Sequence, residues 1–190
     1  MKRCSWAGDD PICIDYHDKE WGVPVRADKK LFEFLVLEGA QAGLSWITVL
    51  RKRDAYRKAF DNFDFNKVSR YQEGKIKQLL KDTGIIRNEL KIRSAIRNAG
   101  AFIEVRREYG TFSKYIWKFV DNKPIQNKWR DMKGIPARTE LSELISKDLK
   151  KRGFSFVGST IVYAHIQATG MVNDHVTDCF RYKEIRALSS

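Results

Sequence analysis

Apolar residues recur at intervals of three and four along most of the chain, and this periodicity is the feature that most constrains its fold. The longest run lies between Asn88 and about Glu108, where the recurring positions are Ile92, Ala95, Ile96, Ala99, Phe102 and Ile103. Such spacing gathers the apolar side chains on one face of an α-helix, whereas a half-buried strand needs strict alternation, which is rare here. The pattern therefore predicts an all-α protein with a long helix in this segment.

Six further segments have helical periodicity or helix-ending residues. They are the segment from Asp28, as an N-cap, to Gly43; residues 47–60; residues 76–80; TFSKYIWKFVDNKP; TELSELISKDLKKRG with a Thr139 cap; and GSTIVYAHIQATG, which ends at Gly170. Asp and Thr are favoured N-caps and Gly is favoured just beyond a helix C-terminus, which sets these limits. Residues 122–136 are polar and contain two prolines and a glycine, so we predict a long loop there.

The charge balance favours a polyanionic partner. The 190 residues include 36 Lys and Arg against 24 Asp and Glu, which gives a formal net charge of +12. Neutralising phosphates releases condensed counterions, so nucleic acid is the leading partner class, with a solvated basic surface as the alternative. No apolar run approaches the ~20 residues of a membrane span, and the first residues, MKRCSWAGDD, have no signal-peptide pattern. We expect a cytoplasmic protein with no membrane partner.

Four residues of metal-binding type lie at the two ends of the chain: Cys4 and His17 near the start, His175 and Cys179 near the end. His175 and Cys179 are four residues apart, so on a helix they would share a face and present a nitrogen and a thiolate to one ion. A Cys2His2 set fills the tetrahedral shell of zinc and leaves no open position, as in structural sites. Spacing alone leaves ordinary buried thiols and unrelated histidines as an alternative. We interpret His165 as a core histidine with satisfied hydrogen bonds.

A carboxylate lies on an apolar helix face at Glu38, seven residues after Leu31 and four after Phe34. Buried, unpaired carboxylates are costly, so such groups tend to mark functional sites or internal ion pairs. Nearby segments supply aromatic side chains: Trp6, Tyr16, Trp21 and Trp46. An acidic group among aromatic rings suits a cationic or electron-poor heterocycle, which can stack and donate hydrogen bonds. The alternative is aromatic core packing, with Glu38 paired to a nearby Arg or Lys.

Long strings of the sequence resemble one protein family, in order and over nearly the whole chain. They are RCSWAGDDP, DYHDKEWGVP, KKLFEFLVLEGAQAGLSWITVLRKR, TGIIRNELKI, LKKRGFSFVGSTIVY and GMVNDHVTDC. Together they resemble the 3-methyladenine DNA glycosylase I family, and only residues 122–138 and those from about Lys183 onward fall outside the resemblance. The resemblance implies an all-α, helix-hairpin-helix DNA glycosylase-like fold, with residues 1–183 as one domain of two helical lobes and residues 184–190 as a tail.

The resemblance also assigns roles to particular residues. One structural zinc ion would tie the terminal segments together through Cys4, His17, His175 and Cys179. Glu38 would be the catalytic residue that contacts the extruded base, and the base pocket would be formed with Trp6, Tyr16 and Trp46. The segment TGIIRN would be the hairpin, in which backbone N–H groups hold a DNA phosphate. The implied DNA-binding residues there are Gly84, Arg87 and Lys91.

Three details of the implied DNA and base contacts are specific to this sequence. The hairpin lacks the second glycine that is common in the wider superfamily, so its phosphate contact is expected to differ. Position 13, where an aromatic residue is expected to help stack the base, is Cys13. Leu44 follows Gly43 at a turn, and we predict that it wedges into the base stack as apolar side chains do in DNA-bending proteins.

The implied activity is base-excision repair by a monomer acting on double-stranded DNA that carries alkylated bases. Methylation at N3 makes adenine a cationic leaving group, so the enzyme need mainly extrude the base and orient it for hydrolysis of the N-glycosidic bond. No lysine stands out in the pocket segments as a Schiff-base nucleophile, which favours attack by water without strand cleavage. Two alternatives stay open: a non-catalytic, zinc-stapled lesion-binding module, and a glycosylase of shifted base specificity.

Overall fold

The computed structural model describes residues 1–188 and confirms a predominantly helical fold. The α-helices are α1 (Pro11–Lys19), α2 (Asp28–Gln41), α3 (Trp46–Ala59), α4 (Phe65–Val68), α5 (Glu73–Lys81), α6 (Glu89–Tyr109), α7 (Phe112–Trp117), α8 (Glu140–Lys151), α9 (Ser159–Ala168) and α10 (Phe180–Ala187). Short 3-10 helices cover Ser5–Ala7, Asp61–Phe63, Lys118–Val120 and Met132–Gly134. Two short strands, β1 (Ile125–Gln126) and β2 (Val172–Asn173), pair in parallel. Within residues 1–188, no helix has the length and apolar character needed to cross a membrane.

The central element of the fold is α2. Its residues 31–40 are all buried, and it packs against α3, α6, α7 and α9. A helix with a single apolar stripe would leave one side in water, whereas burial on every side places a helix inside the core. Any side chain on α2 is therefore removed from water by its neighbours, including the carboxylates of Glu33 and Glu38.

The long periodic segment forms α6, as predicted. The side chain of Asn88 caps the helix by accepting a hydrogen bond from the Lys91 N–H at 3.1 Å, which satisfies one of the free donors of the first turn. The buried face meets the core through Phe102, whose ring stacks on Phe112 with centroids 4.1 Å apart. The apolar periodicity therefore predicted both the helix and its core-facing side.

The start of α2 differs from the prediction by one residue. Ala27 is the N-cap, and Asp28 is the first helical residue. The Asp28 carboxylate instead accepts hydrogen bonds from the backbone N–H groups of Phe112 and Ser113 and pairs with Arg106. It thus satisfies orphan donors at the N-terminus of α7, where a negative charge also complements the helix dipole.

One expectation about the C-terminal segment is corrected. His175 and Cys179 do not share a helix, because residues 174–179 form turns between β2 and α10, and Cys179 is the N-cap of α10. The segment 184–190, predicted as a tail, includes the last residues of α10, and residues 189–190 lie outside the described residues. The short helix escapes sequence analysis because its apolar periodicity extends over only eight residues.

Residues 122–136 are mostly irregular, as predicted, but they are not free of structure. They contain β1 and the 3-10 helix Met132–Gly134, and the pairing of Ile125 with Val172 attaches the segment to β2. The side chain of Asp131 caps the 3-10 helix by accepting hydrogen bonds from Lys133 N–H and Gly134 N–H. This loop therefore has a defined path beside α9 and β2.

Candidate active site

Two carboxylates on α2 are buried, and their surroundings are opposite. Glu33 accepts hydrogen bonds from Arg53 at 2.7 Å and from Arg57 at 3.1 Å, and Lys30 lies 3.3 Å away. Burial opposes ionisation of Glu33, but the attraction of these cations outweighs it, and the pKa of Glu33 lies below its ordinary value. Glu33 is thus an internal ion-pair partner, the role that sequence analysis left open for Glu38.

Glu38 has no such partner. Its side chain is only 3% exposed, and within residues 1–188 its carboxylate makes no hydrogen bond or ion pair. Burial raises the pKa of Glu38 to about 8, because the charged form loses its hydration without gaining a cation. A carboxyl group held in this state is ready to bind a cation that enters its cavity.

Glu38 faces a cavity of about 360 Å³, within the usual size range of small-molecule sites. Tyr16 and Trp46 lie in its wall with ring centroids 5.3 Å apart, and Trp6 meets Tyr16 at 6.1 Å. The cavity thus brings together the four residues predicted for base binding. The remaining lining residues are Trp21, Gln41, Met132, Ile135, Pro136, Ala137, Thr160, Tyr163, Ala164, Gln167 and Ala168.

Two residues of the cavity wall carry buried indole N–H groups without a partner. The Nε1 atoms of Trp6 and Trp46 are buried, and neither has a hydrogen-bond partner in the described part of the chain. Unsatisfied buried donors are rare and each costs free energy. The walls of the cavity therefore contain a carboxyl group and two indole N–H groups that lack partners within residues 1–188.

Cys13 does not take the place of the expected stacking residue. It is 8% exposed and packs in a buried cluster with Tyr16 and Leu50, and it is not among the residues that line the cavity. Burial raises the pKa of the Cys13 thiol. The aromatic wall is therefore supplied by other residues, and Cys13 belongs to the buried cluster that includes Tyr16.

Asp174 holds two segments beside the cavity together, and sequence reasoning missed it. Its buried carboxylate accepts hydrogen bonds from Asn127 at 2.6 Å, Trp129 at 2.7 Å and Gln167 at 2.8 Å, and from the hydroxyl of Tyr163. Tyr163 and Gln167 line the cavity on α9, and the other two donors belong to the loop. Asp174 thus fixes the loop against α9. No sequence pattern indicated this, because its donors come from distant segments.

The four predicted metal ligands meet in one buried cluster. One ligand atom from each of Cys4, His17, His175 and Cys179 lies within 4.8 Å of the others, so the group could hold a metal ion. The Cys179 Sγ atom lies 3.5 Å from His17 Nε2 and 3.6 Å from His175 Nδ1. The fold thus brings two sulfur and two nitrogen atoms together from residues that are more than 150 positions apart in the sequence.

Hydrogen bonds to the far side of each imidazole orient the two histidines. His17 Nδ1 lies 2.8 Å from the Asp18 carboxylate, which also binds Arg3, and His175 Nε2 lies 3.0 Å from the carbonyl of Trp21. Both partners are acceptors, so these nitrogens carry the protons. The lone pairs of His17 Nε2 and His175 Nδ1 then point into the cluster, the arrangement required of metal ligands.

His165 is buried, as predicted, but the expectation of satisfied hydrogen bonds is wrong. Neither ring nitrogen has a partner within residues 1–188, and burial lowers the pKa of His165 to about 4. The ring therefore stays neutral in an apolar setting.

The predicted hairpin lies between α5 and α6, and its glycine has a packing role. A Cβ atom at Gly84 would lie 2.8 Å from the Cβ atom of Ala55, so α3 approaches too closely for any larger residue. The Gly84 N–H donates to the Asp82 carboxylate, and the Ile86 N–H donates to the hydroxyl of Tyr56. These backbone donors are used inside the protein. Arg87, by contrast, is exposed and has no side-chain partner among residues 1–188.

Lys91 is also engaged inside the protein. Its ammonium group donates hydrogen bonds to the carbonyls of Ala40 at 2.8 Å and Ala42 at 2.6 Å, at the C-terminal end of α2. A cation there satisfies orphan carbonyls and complements the helix dipole. Leu44 follows this end of α2 and is 41% exposed. Lys91 therefore links the hairpin to the segment between Glu38 and Leu44.

Fold and site together define a predominantly helical, basic protein with an aromatic-walled cavity that contains a buried carboxyl group and is suited to a flat heterocycle. The family model described as methyladenine glycosylase matches residues 6–182. DNA-3-methyladenine glycosylase 1 of Escherichia coli (strain K12) is 49% identical over 182 residues, covering 96% of this chain and 97% of that protein. The chain belongs to the methyladenine glycosylase family.

Solved structures agree with this assignment. A crystal structure of 3-methyladenine DNA glycosylase I is similar with a TM-score of 0.92 at 48% identity, covering 94% of this chain and 98% of that one. A substituted form of 3-methyladenine DNA glycosylase I in complex with 3-methyladenine is similar with a TM-score of 0.92 at 33% identity, covering 95% and 97%. The similarity extends over nearly the full length of both chains in each case.

The buried state of Glu38 makes a prediction about stability and pH. The pKa of Glu38 rises from 4.5 to about 8 on folding, so between these values folding takes up a proton. In that window each pH unit should cost the wild-type protein about 1.4 kcal/mol relative to Glu38→Gln. Denaturant unfolding at a series of pH values should therefore show an advantage of Glu38→Gln that grows from about pH 4.5 to 8 and is constant above.

Glu33→Gln is the matched control, because it changes a carboxylate on the same helix. The pKa of Glu33 is lowered on folding, so its ionised form stabilises the protein above pH 4.5, and this contribution is lost as the pH falls through its folded pKa. Glu33→Gln should therefore destabilise most near neutral pH. A pH-independent difference between the wild type and Glu38→Gln would contradict the description of Glu38.

The hydrogen bonds of Lys91 predict that Lys91→Met destabilises the protein. The substitution keeps most of the alkyl chain but removes both hydrogen bonds to the end of α2, which should cost about 1–3 kcal/mol of unfolding free energy. Arg87→Ala is the control, since the Arg87 side chain has no partner inside the protein; it should leave stability unchanged and weaken binding to damaged and undamaged duplex about equally. Chemical denaturation and salt-dependent DNA binding measure both effects. Unchanged stability of Lys91→Met would exclude the proposed link.

Proposed function

We propose that this protein is a monofunctional DNA-3-methyladenine glycosylase. It hydrolyses the N-glycosidic bond of 3-methyladenine in DNA, releases the free base and leaves an abasic site. The observation that carries the proposal is the unpaired carboxyl group of Glu38 in an aromatic cavity. Family membership and the relatives of known activity support it.

Glu38 supplies recognition of the damaged base. Methylation at N3 gives the purine a positive charge, and a cation beside Glu38 favours the ionised carboxylate, which lowers its pKa from about 8. The carboxylate then attracts the ring and accepts hydrogen bonds from its exocyclic amino group. Normal adenine is neutral and cannot offset the cost of ionising Glu38, so the cavity discriminates against it.

The aromatic residues hold the extruded base. Tyr16 and Trp46 present ring surfaces on which a purine can stack, and such stacking is worth about 1–3 kcal/mol per base. Trp6 adds a further aromatic side chain to the wall beside Tyr16. These contacts offset the few kcal/mol needed to remove a nucleotide from the stack.

The bond is cleaved by water. None of the residues that line the cavity is a lysine, so no amine there can form a Schiff base with the sugar. Because the leaving base is already cationic, its departure needs no proton from the protein. A reaction of this kind cleaves the glycosidic bond without cutting the DNA strand.

The terminal cluster is proposed to hold one structural zinc ion. With Zn–S of about 2.3 Å and Zn–N of about 2.0–2.1 Å, a tetrahedral shell separates sulfur and nitrogen by roughly 3.6 Å. The sulfur–nitrogen distances of 3.5 and 3.6 Å in the cluster agree with this edge. Four protein ligands fill the shell, so zinc contributes stability to the joined termini and takes no part in the reaction.

The DNA contacts follow the fold proposed for the chain. Residues 1–183 are taken as one glycosylase domain of the helix-hairpin-helix type, with α5 and α6 as the two helices. Arg87 contacts a phosphate of double-stranded DNA, and Leu44 enters the base stack beside the flipped nucleotide. The domain needs no second copy for this contact, in keeping with a monomer. A cytoplasmic location stays a prediction.

Base release from methylated duplex DNA tests the proposal. The wild-type protein should release 3-methyladenine without strand cleavage, while Glu38→Gln should be slower by about ten- to a hundredfold, because a charged hydrogen bond in a dry cavity is worth roughly 1.5–3 kcal/mol. Binding of free 3-methyladenine should fall in parallel, and binding to undamaged DNA should not change. Tight lesion binding without release would support a non-catalytic module, and release of other bases would support a shifted specificity.

Metal analysis tests the zinc site. Protein purified without added zinc should contain one zinc ion per chain, and Cys179→Ser should lose the metal and much of its stability, because structural metal binding is coupled to folding. Cys13→Ser is the matched control, since it changes a buried cysteine outside the cluster and should retain zinc. Full zinc content in Cys179→Ser would rule out the four-ligand site.

A further inference from the structure

We infer that residues 127–133, referred to below as the basic loop, form a second phosphate-binding site for the DNA strand that carries the flipped base. The inference rests on the proposed function, because it concerns how the same cavity receives its substrate. Neither the hairpin nor the base-binding residues account for the charges of the basic loop.

The charges of the basic loop are free to bind a ligand. Lys128, Arg130 and Lys133 are exposed, and no partner of their side chains lies within residues 1–188. The one acidic residue of the loop, Asp131, uses its carboxylate to cap the 3-10 helix. Elsewhere in the chain many arginines are ion-paired, including Arg53, Arg57, Arg93, Arg106 and Arg152.

The loop that carries these charges is anchored at several points. Asn127 and Trp129 donate hydrogen bonds to the buried Asp174 carboxylate at 2.6 and 2.7 Å, and the carbonyl of Trp129 accepts from the N–H of Thr177 at 2.8 Å. These contacts fix the backbone on either side of Lys128. Little backbone entropy is then left to lose when a phosphate binds, which is the condition for a preorganised site.

The basic loop lies at the rim of the cavity. Met132 lines the cavity and stands directly between Asp131 and Lys133, while the hairpin side of the cavity is reached through α2 and α3, which contribute Gln41 and Trp46. A nucleotide flipped into the cavity stays joined to its strand on both sides, so phosphates must pass the rim in two directions. Arg87 of the hairpin can bind a phosphate on one side of the flipped nucleotide, and the basic loop binds a phosphate on the other side.

Salt-dependent binding of a short, fluorescently labelled duplex tests the inference. In a variant with Lys128→Ala, Arg130→Ala and Lys133→Ala, affinity for undamaged and damaged duplex should fall by about tenfold or more at low salt, and the dependence of log K on log salt should weaken by about 0.9 for each phosphate that the variant no longer binds. Thermal stability and binding of free 3-methyladenine should equal those of the wild type, because the three side chains have no partner inside the protein.

A control variant removes the same charge from the other end of the molecule. Lys67→Ala, Lys114→Ala and Lys150→Ala change exposed residues of α4, α7 and α8 whose side chains have no ion-pair partner within residues 1–188. These three residues lie near the C-terminal part of α6. The 21 residues of α6 separate this end from the hairpin by about 30 Å. If the loop variant and the control have equal affinity and equal salt dependence, DNA binding depends on net charge and not on the position of the charges. That result would overturn the inference.

Two further outcomes are informative. If the loop variant loses free-base binding and thermal stability along with DNA affinity, the segment acts only as a wall of the cavity, and the inference is overturned. If the wild-type protein releases no base from methylated DNA but the loop variant still shows the weakened salt dependence, the proposed function fails while the phosphate site stands.

Discussion

The structure depends on the complete burial of α2. Ten consecutive residues, 31–40, are removed from water on every side, so the other helices must cover this one before a core exists. Burial has opposite consequences for the two carboxylates on it. Glu33 is neutralised by Arg53 and its neighbours, while Glu38 lies near the other end with an unpaired carboxyl group. The fold therefore stabilises the ionised form of Glu33 and disfavours the ionised form of Glu38, which becomes favourable when a cation enters the cavity.

The chain termini are joined to the cavity by adjacent residues. On the same short helix, Tyr16 lines the cavity and the next residue, His17, belongs to the cluster of Cys4, His17, His175 and Cys179, so the cluster helps to position one aromatic wall. At the other end of the chain Asp174 anchors the basic loop and the next residue, His175, belongs to the cluster. A displacement of His17 would therefore move the adjacent Tyr16, and a displacement of His175 would move the adjacent Asp174. Both shifts would alter the cavity wall. The Cys–His cluster is thus coupled to the cavity through neighbouring residues.

Sequence reasoning predicted the long helices and the residues that line the cavity. It failed where the partner of a side chain is determined by contacts between distant segments. The periodicity of α6 and the apolar setting of Glu38 are local patterns, and they appear in the structure as predicted. Asp174 was missed because its four donors come from two other segments, the loop and α9, which only the fold brings to it. Asp28 was taken as a cap of its own helix, whereas it caps α7, because a carboxylate serves whichever helix N-terminus the fold brings to it.

The net charge of +12 overstates the number of groups that can meet DNA. Lys91 donates hydrogen bonds to carbonyls at the end of α2, and Arg53 forms ion pairs with Glu33 and Glu20. Such cations contribute to the long-range field but release no counterion from a phosphate, since they cannot leave their partners without a cost in stability. Arg87 and Lys128 differ because the fold leaves them without a partner among the described residues. Affinity for DNA should accordingly depend on where the unpaired cations lie around the cavity and much less on the total charge of the chain.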